Sequence, residues 1–168
     1  PKDVLIVMDE AYIEFLEDPV DLIPEIRSGT QENLLLCRTF SKIFGLAGLR
    51  LGYGIACPAL ISAFEKVRQP FNINSIAQAG ALAALQDGDH QARTRENNRV
   101  GVEYFQSAFI AMQWPYVPSH ANFVLVKTGR GGAVFAALQQ RGIITRPMGS
   151  YGLPDWLRIS VGTPAENA

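Results

Sequence analysis

Arg38-Thr39-Phe40-Ser41-Lys42, followed by Arg50 within Gly48-Leu49-Arg50-Leu51-Gly52-Tyr53, sets an amine, two hydroxyls and a guanidinium between apolar runs. The chain has only four lysines, and Lys42 is the one flanked by Phe40, Ile43 and Phe44. Desolvation disfavours an ammonium ion, and a neutral amine is a nucleophile toward a carbonyl. Hydroxyl donors and a second fixed cation beside it suit an anion. The chemistry implied is carbonyl capture next to an anion site. Two further polar clusters fall at the ends of apolar runs: Asp9 with Tyr12, and Arg146 with Arg158. Taken singly, each residue has a plainer reading. Asp9 can cap a turn, Tyr12 can serve the core, Arg50 can be a surface charge with a buried stem, and Arg146 and Arg158 can be solvated strand charges. Asn122 can belong to the turn before a strand.

The elements that must position these groups follow from hydrophobic patterning. Residues 4–8 form a continuous apolar run that predicts a strand covered on both faces, with Asp9 at its carboxyl end. Residues 34–37 predict a second strand with the Ser41-Lys42 segment just beyond it. Residues 51–56 predict a third, whose glycines imply close backbone approach. Open α/β sheets place ligands at the carboxyl ends of their strands. Pro58 opens a helix through about residue 67. The segment Gln69-Pro70-Phe71-Asn72-Ile73-Asn74 breaks it, and Ser75 is the expected N-cap of an alanine-rich helix over 76–85. A long connecting helix is expected over about 89–112. Beyond Trp114-Pro115 the pattern predicts a strand at 122–126, a helix at 133–141, and strands at 142–146 and 156–161, a small β-α-β-β unit. Two segments of different layout imply a boundary near residue 100, dividing 1–100 from 101–168. No internal repeat or low-complexity tract interrupts either.

Composition narrows the function class. The chain has 168 residues, of which 48% are hydrophobic, and a net charge of −1. That is enough to bury a core. The lack of a basic excess argues against nucleic acid as the main partner, and no apolar run reaches membrane-spanning length. Cys37 and Cys57 sit in or beside apolar runs and read as core filler in a reducing cytoplasm. His90 and His120 lack metal-ligand spacing, so no metal is expected. No Walker-type or Gly-x-Gly-x-x-Gly loop follows a predicted strand, which disfavours a nucleotide-binding protein. The chain opens on Pro1 and closes on Gly162-Thr163-Pro164-Ala165-Glu166-Asn167-Ala168. Both ends are expected to be cuts in a longer polypeptide.

In their order and spacing the three clusters resemble the fold-type I aminotransferases that use pyridoxal 5′-phosphate, and within them the histidinol-phosphate branch. The resemblance covers nearly the whole chain. It rests on Asp9-Glu10-Ala11-Tyr12-Ile13-Glu14-Phe15, on Arg38-Thr39-Phe40-Ser41-Lys42 and on Leu46-Ala47-Gly48-Leu49-Arg50-Leu51-Gly52-Tyr53. It extends to Pro70-Phe71-Asn72-Ile73-Asn74-Ser75, Ala121-Asn122-Phe123, Arg146-Pro147 and Leu157-Arg158-Ile159-Ser160-Val161-Gly162-Thr163. The lysine block is highly specific for the superfamily; the Asn-bearing and C-terminal blocks favour the branch less decisively. The resemblance implies an α/β fold: part of the large, mostly parallel-sheet domain over 1–100, and a small α/β C-terminal domain, truncated, over 101–168.

The same resemblance implies roles. Lys42 would be the catalytic residue, linking covalently to the cofactor aldehyde and then moving a proton between substrate Cα and cofactor C4′. Asp9 would keep the pyridine nitrogen protonated, so that the ring can withdraw electrons from a substrate carbanion. Tyr12 would donate to the ring's phenolic oxygen. Ser41, Arg50 and Thr39 would bind the cofactor phosphate. Arg158, supported by Arg146 and Asn122, would accept the phosphate of histidinol phosphate in one half-reaction and the carboxylate of glutamate or 2-oxoglutarate in the other, since a guanidinium fork fits either anion. A whole enzyme of this kind would be a homodimer about twice as long, with its missing amino-terminal part completing the phosphate cup and stacking on the cofactor. This piece alone would then show negligible transamination and weak cofactor binding. Within the class, an aromatic aminotransferase or a threonine-phosphate decarboxylase-like enzyme shares the lysine block. Outside it, the chain could be a catalytically silent structural or dimerisation fragment.

Overall fold

In the computed structural model, residues 3–168 are described, and they form two compact units that divide between Ala92 and Arg93. The first is built on a three-stranded sheet in the order β1-β2-β3. Central strand β2 (Leu34–Thr39) pairs in parallel with β1 (Ile6–Asp9) and antiparallel with β3 (Gly52–Ala56). The sheet is therefore mixed: the expectation of mostly parallel pairing holds for β1–β2 and not for β2–β3. Side chains alternate across a strand, and Leu34 and Leu36 on one face pack with Ile55 and with Ile26 of the short helix α1 (Ile23–Arg27).

Strand β1 departs from expectation. Its apolar run predicts cover on both faces, yet Val4 to Met8 are all exposed, Val7 to 54%. The cause is topological. β1 is an edge strand hydrogen-bonded only to β2, and no element among the described residues closes over it. An open apolar edge of this kind is a pairing surface.

Two helices flank the sheet in sequence. Helix α2 (Pro58–Glu65) starts with Pro58 in its first turn, as expected, and ends slightly early. Helix α3 (Ser75–Gln86) is capped not by Ser75 but by Asn74, whose side chain accepts from the Ala77 N–H at 2.8 Å. Asn74 has the extended backbone that a cap requires, whereas Ser75 is already helical. Along α3, Ala77 and Ala81 face the core, while Ile76 (74% exposed) and Leu82 are exposed.

The unit boundary falls inside the long helix α4 (Gly88–Ala111). The second unit contains a four-stranded, wholly antiparallel sheet, β4-β5-β7-β6: β4 (Tyr116–Val117), β5 (Phe123–Lys127), β6 (Arg146–Pro147) and β7 (Trp156–Ser160). Strand β4 is absent from the sequence-based reading. The strand predicted at 142–146 shrinks to Arg146–Pro147: Gly142 takes a left-handed φ of 80°, and Pro147 brings no N–H, which confines it to an edge. Helix α5 (Gly131–Gln139) and α4 cover one face of the sheet, where Val102, Phe109, Val124, Val126 and Leu157 form the core. Gly101 is the point of closest approach, since a Cβ there would run into Val161. A short helix α6 (Pro164–Asn167) closes the described chain with a capping box between Thr163 and Glu166.

Candidate active site

Parallel pairing puts the carboxyl ends of β1 and β2 at one edge, with Asp9 opposite Cys37. Antiparallel pairing brings the amino end of β3 to the same edge, with Gly52 opposite Thr39. Asp9, Thr39 and the whole 40–51 segment therefore share one edge of the sheet. Register assigns faces as well. Asp9 and Thr39 project to one side with Cys37, Gly52 and Gly54, while Leu36, Arg38 and Tyr53 project to the other.

The lysine turn is held from below. Phe40, Ile43, Phe44 and Leu51 are buried with Phe15, Ala77 and Ala81 in one cluster, which leaves Ser41 and Lys42 half-buried between anchored neighbours. The small residues of α3 permit this approach; a Cβ at Gly80 would sit 3.1 Å from the Leu49 methyl. The turn is stitched by Phe40 N–H to Leu51 O (3.1 Å), Leu46 N–H to Phe40 O (2.9 Å) and Gly45 N–H to Lys42 O (2.9 Å), with Gly45 at φ 70°. Lys42 Nζ lies 5.0 Å from the centre of the Tyr12 ring, within the range over which a cation is drawn to an aromatic face. Thr39 Oγ1 accepts from the Ser41 N–H at 3.0 Å and reaches Leu51 O at 3.5 Å, so its hydroxyl shapes the turn.

Asp9 is exposed, and its Oδ1 accepts from the Ala11 N–H at 3.1 Å, which is the turn-capping reading. A carboxylate has acceptor capacity beyond that one bond. Arg50 has a left-handed backbone, φ 54° and ψ 49°, rare for a residue with a Cβ, and its Nη1 donates to Ala47 O at 2.9 Å. Such strain persists only where the surroundings hold it, and it clusters at functional sites.

Sequence reasoning missed two contacts behind this edge. Glu10, only 8% exposed, accepts from Arg38 Nε at 2.8 Å, and Tyr53 stands opposite Arg38 in the β2–β3 ladder, on the same face. Burial pulls the Arg38 pKa down, but the interactions with Glu10 and with nearby Tyr53 outweigh it and hold the guanidinium above its ordinary range. A Glu and an Arg adjoining Asp9 and Thr39 were the available signal. His90 Nε2 lies 3.1 Å from the carbonyl of Ile43, the residue after Lys42; an isolated histidine gave no signal for that.

The second unit carries the other cluster. Arg158 and Arg146 stand directly opposite one another across the β6–β7 ladder, and Leu125 of β5 faces Arg158 from the other side. They lie on the face away from Val124, Val126 and Leu157. The Arg158 guanidinium sits 4.8 Å from the centre of the Phe123 ring, and its Nε is buried with no hydrogen-bond partner. Like charges opposed in a ladder are destabilising, and an orphaned buried donor costs about 1–3 kcal/mol. No carboxylate among the described residues forms an ion pair with either arginine. Asn122 is half-buried just before β5, and its carbonyl accepts from the Val161 N–H at 2.9 Å, which extends the ladder. The sequence-predicted residues thus form two groups: Asp9, Tyr12, Thr39, Ser41, Lys42 and Arg50 on the first unit, and Asn122, Arg146 and Arg158 on the second. Among the described residues no cluster of His, Cys, Asp and Glu could hold a metal ion, and no helix is long and apolar enough to cross a membrane.

Residues 1–168 match the family described as aminotransferase class I and II. The histidinol-phosphate aminotransferase of Akkermansia muciniphila is 51% identical over 168 residues, covering 100% of this chain and 46% of the relative. The crystal structure of histidinol-phosphate aminotransferase from Sinorhizobium meliloti in complex with pyridoxal-5′-phosphate superposes with a TM-score of 0.87 at 32% identity, over 99% of this chain and 46% of that one. L-threonine-O-3-phosphate decarboxylase from Porphyromonas gingivalis shares the fold, with a TM-score of 0.83 at 23% identity over 99% of this chain and 52% of that one. The chain spans about half the length of the curated relatives it matches.

Proposed function

The chain belongs to the class I and II aminotransferase family, with the mixed α/β architecture of its fold-type I members, and from that premise we propose that it carries the lysine half of a pyridoxal 5′-phosphate site. One observation carries the proposal: the edge of the first sheet gathers an amine, a carboxylate, a phenol, a hydroxyl and a guanidinium of strained backbone. That donor set fits the cofactor. When bound, pyridoxal phosphate supplies an aldehyde and an electron-withdrawing ring. Lys42 is the nucleophile and afterwards the base that moves the proton at substrate Cα. Asp9, whose Oδ2 is not committed to the turn, holds a proton at the ring nitrogen. Tyr12 donates at the ring's phenolic oxygen, beside Lys42. Ser41 and Arg50 bind the phosphate, and Thr39 supports them by fixing the Ser41 backbone.

The substrate reading rests on the second unit. Arg158, with an orphaned buried donor and an opposed arginine, is built for an anion that supplies what the fold leaves out. In a transamination that anion alternates between a phosphate ester and a carboxylate. We therefore assign histidinol phosphate and glutamate/2-oxoglutarate as substrates, in histidine biosynthesis, with Arg146 and Asn122 beside Arg158. The relatives' names support this choice over an aromatic aminotransferase; the decarboxylase likeness supports the fold alone. The first unit belongs to the large cofactor-binding domain and the second to the small domain. The full-length protein works as a homodimer in the reducing cytoplasm, in keeping with two free thiols, Cys37 and Cys57. The open apolar β1 favours a further reading for this chain taken alone, that of a catalytically silent piece.

Donor competition in the full-length protein tests the assignment. Histidinol phosphate is expected to transfer its amino group to 2-oxoglutarate with kcat/KM at least tenfold above phenylalanine. Preference for phenylalanine, or release of carbon dioxide from threonine phosphate, contradicts it.

A further inference from the structure

We propose that Glu10, Arg38 and Tyr53 form a clamp behind the sheet that sets the position of Asp9 relative to the Lys42 turn. It rests on the reading that Lys42 and Asp9 serve one cofactor. The three residues come from the three strands of the sheet: Glu10 follows β1, Arg38 lies on β2 and Tyr53 on β3. Each is next in sequence to, or cross-paired near, a residue of the site. Glu10 adjoins Asp9, Arg38 adjoins Thr39, and Tyr53 follows Gly52, the partner of Thr39.

Alternation makes the clamp a positioning device. Arg38 and Tyr53 project from the face opposite Asp9 and Thr39, so none of the three needs to touch a ligand. The main chain reinforces the joint, with Glu10 N–H donating to Cys37 O at 2.9 Å. Energetics point the same way. Taking a carboxylate and a guanidinium out of water costs several kcal/mol per ion, and apolar residues of similar volume are often as stable or more so. The same face is already apolar one pair of residues further down, at Leu36 and Ile55, where the core is built without charge. The fold therefore had an apolar solution available. The ionic pair adds direction instead. Its 2.8 Å contact fixes an angle and a distance that an oily contact does not.

The test uses the full-length protein loaded with pyridoxal phosphate and three variants: Glu10→Gln, Arg38→Lys, and the double variant Glu10→Leu/Arg38→Leu. Thermal melting of the unloaded protein reads stability. The pH midpoint of the visible chromophore formed with Lys42 reads the electrostatics around that amine, which stability alone does not move. Glu10→Gln should lower Tm by leaving the guanidinium uncompensated. The double variant should restore Tm to the parent value or above it, yet shift the chromophore midpoint by about one pH unit and lower kcat roughly tenfold to a hundredfold, the scale of a small misplacement. Arg38→Lys, keeping charge without the fork, should fall between. A double variant with the parent's midpoint and kcat overturns the clamp and leaves the cofactor reading standing. If the double variant does not fold, Glu10→Gln decides: a parent-like midpoint overturns the clamp. A parent protein that forms no chromophore at Lys42 overturns the cofactor reading and the clamp with it.

Discussion

The two sheets treat their charged residues in opposite ways. At the site edge of the first unit, several polar groups are partnered within the fold: Arg38 has Glu10, Thr39 accepts from the Ser41 N–H, and Asp9 accepts from the Ala11 N–H. On the second unit, Arg146 confronts Arg158, no carboxylate among the described residues forms an ion pair with either, and a buried Nε has no acceptor. Packing runs the other way. The second unit closes its core under α4 and α5, while the first leaves β1 bare. A braced edge suits a group held permanently, and an unanswered pair of cations suits an anion that comes and goes. Under the proposed function, the contrast is that between a cofactor cradle and a substrate port.

Substitutions can sharpen or break that contrast. The largest effect is expected for Arg158→Leu: roughly a hundredfold loss in kcat/KM for both phosphate and carboxylate substrates, with the spectrum of bound cofactor unchanged. A spectral change equal to the kinetic one would merge the two regions into one. Next, Asn74→Ala should cost about 1 kcal/mol of stability through the lost α3 cap, while Ser75→Ala should be close to neutral. Chemical denaturation of the two variants decides between the caps. Smaller again, and of opposite sign, Arg146→Thr should stabilise the protein by a few tenths of a kcal/mol by relieving like charges in the ladder, while it weakens anion affinity. A destabilised variant would mean that Arg146 is structural.

The smallest expected effect lies at the chain's last helix. Hydrogen bonds from the Thr163 backbone and then its side chain hold the Glu166 carboxyl below its ordinary pKa. A depressed carboxyl stabilises the folded form above its unfolded pKa and loses that contribution as pH falls through the lower, folded value. Parent and Glu166→Gln melting curves should therefore differ slightly at neutral pH and converge in acid. Divergence in acid would remove the capping box from the account.

Sequence carried the choice of candidate residues further than the architecture. Lys42, Ser41 and Arg50 were legible because unusual residue types stand between apolar runs, and Asp9 because it ends one. That the amino end of β3 reaches the same edge was not legible, since it depends on β3 running antiparallel to β2, and strand direction leaves no mark in composition. The Asn74 cap was missed because serine and asparagine are near-equal caps and only backbone dihedrals separate them. The bareness of β1 was hidden because a continuous apolar run signals a need for cover without saying what provides it. Glu10–Arg38 was hidden because residues far apart in sequence pair only through the parallel register.

The central claim is that Lys42 is the residue that bonds to pyridoxal phosphate. Incubation of the full-length protein with the cofactor, borohydride reduction and peptide mass mapping tests it directly. The account predicts one stoichiometric pyridoxyl adduct, on Lys42, which is lost in Lys42→Ala and not transferred to Lys66 or Lys127. A parent protein labelled at those lysines, or a Lys42→Ala variant labelled as fully as the parent, would contradict it.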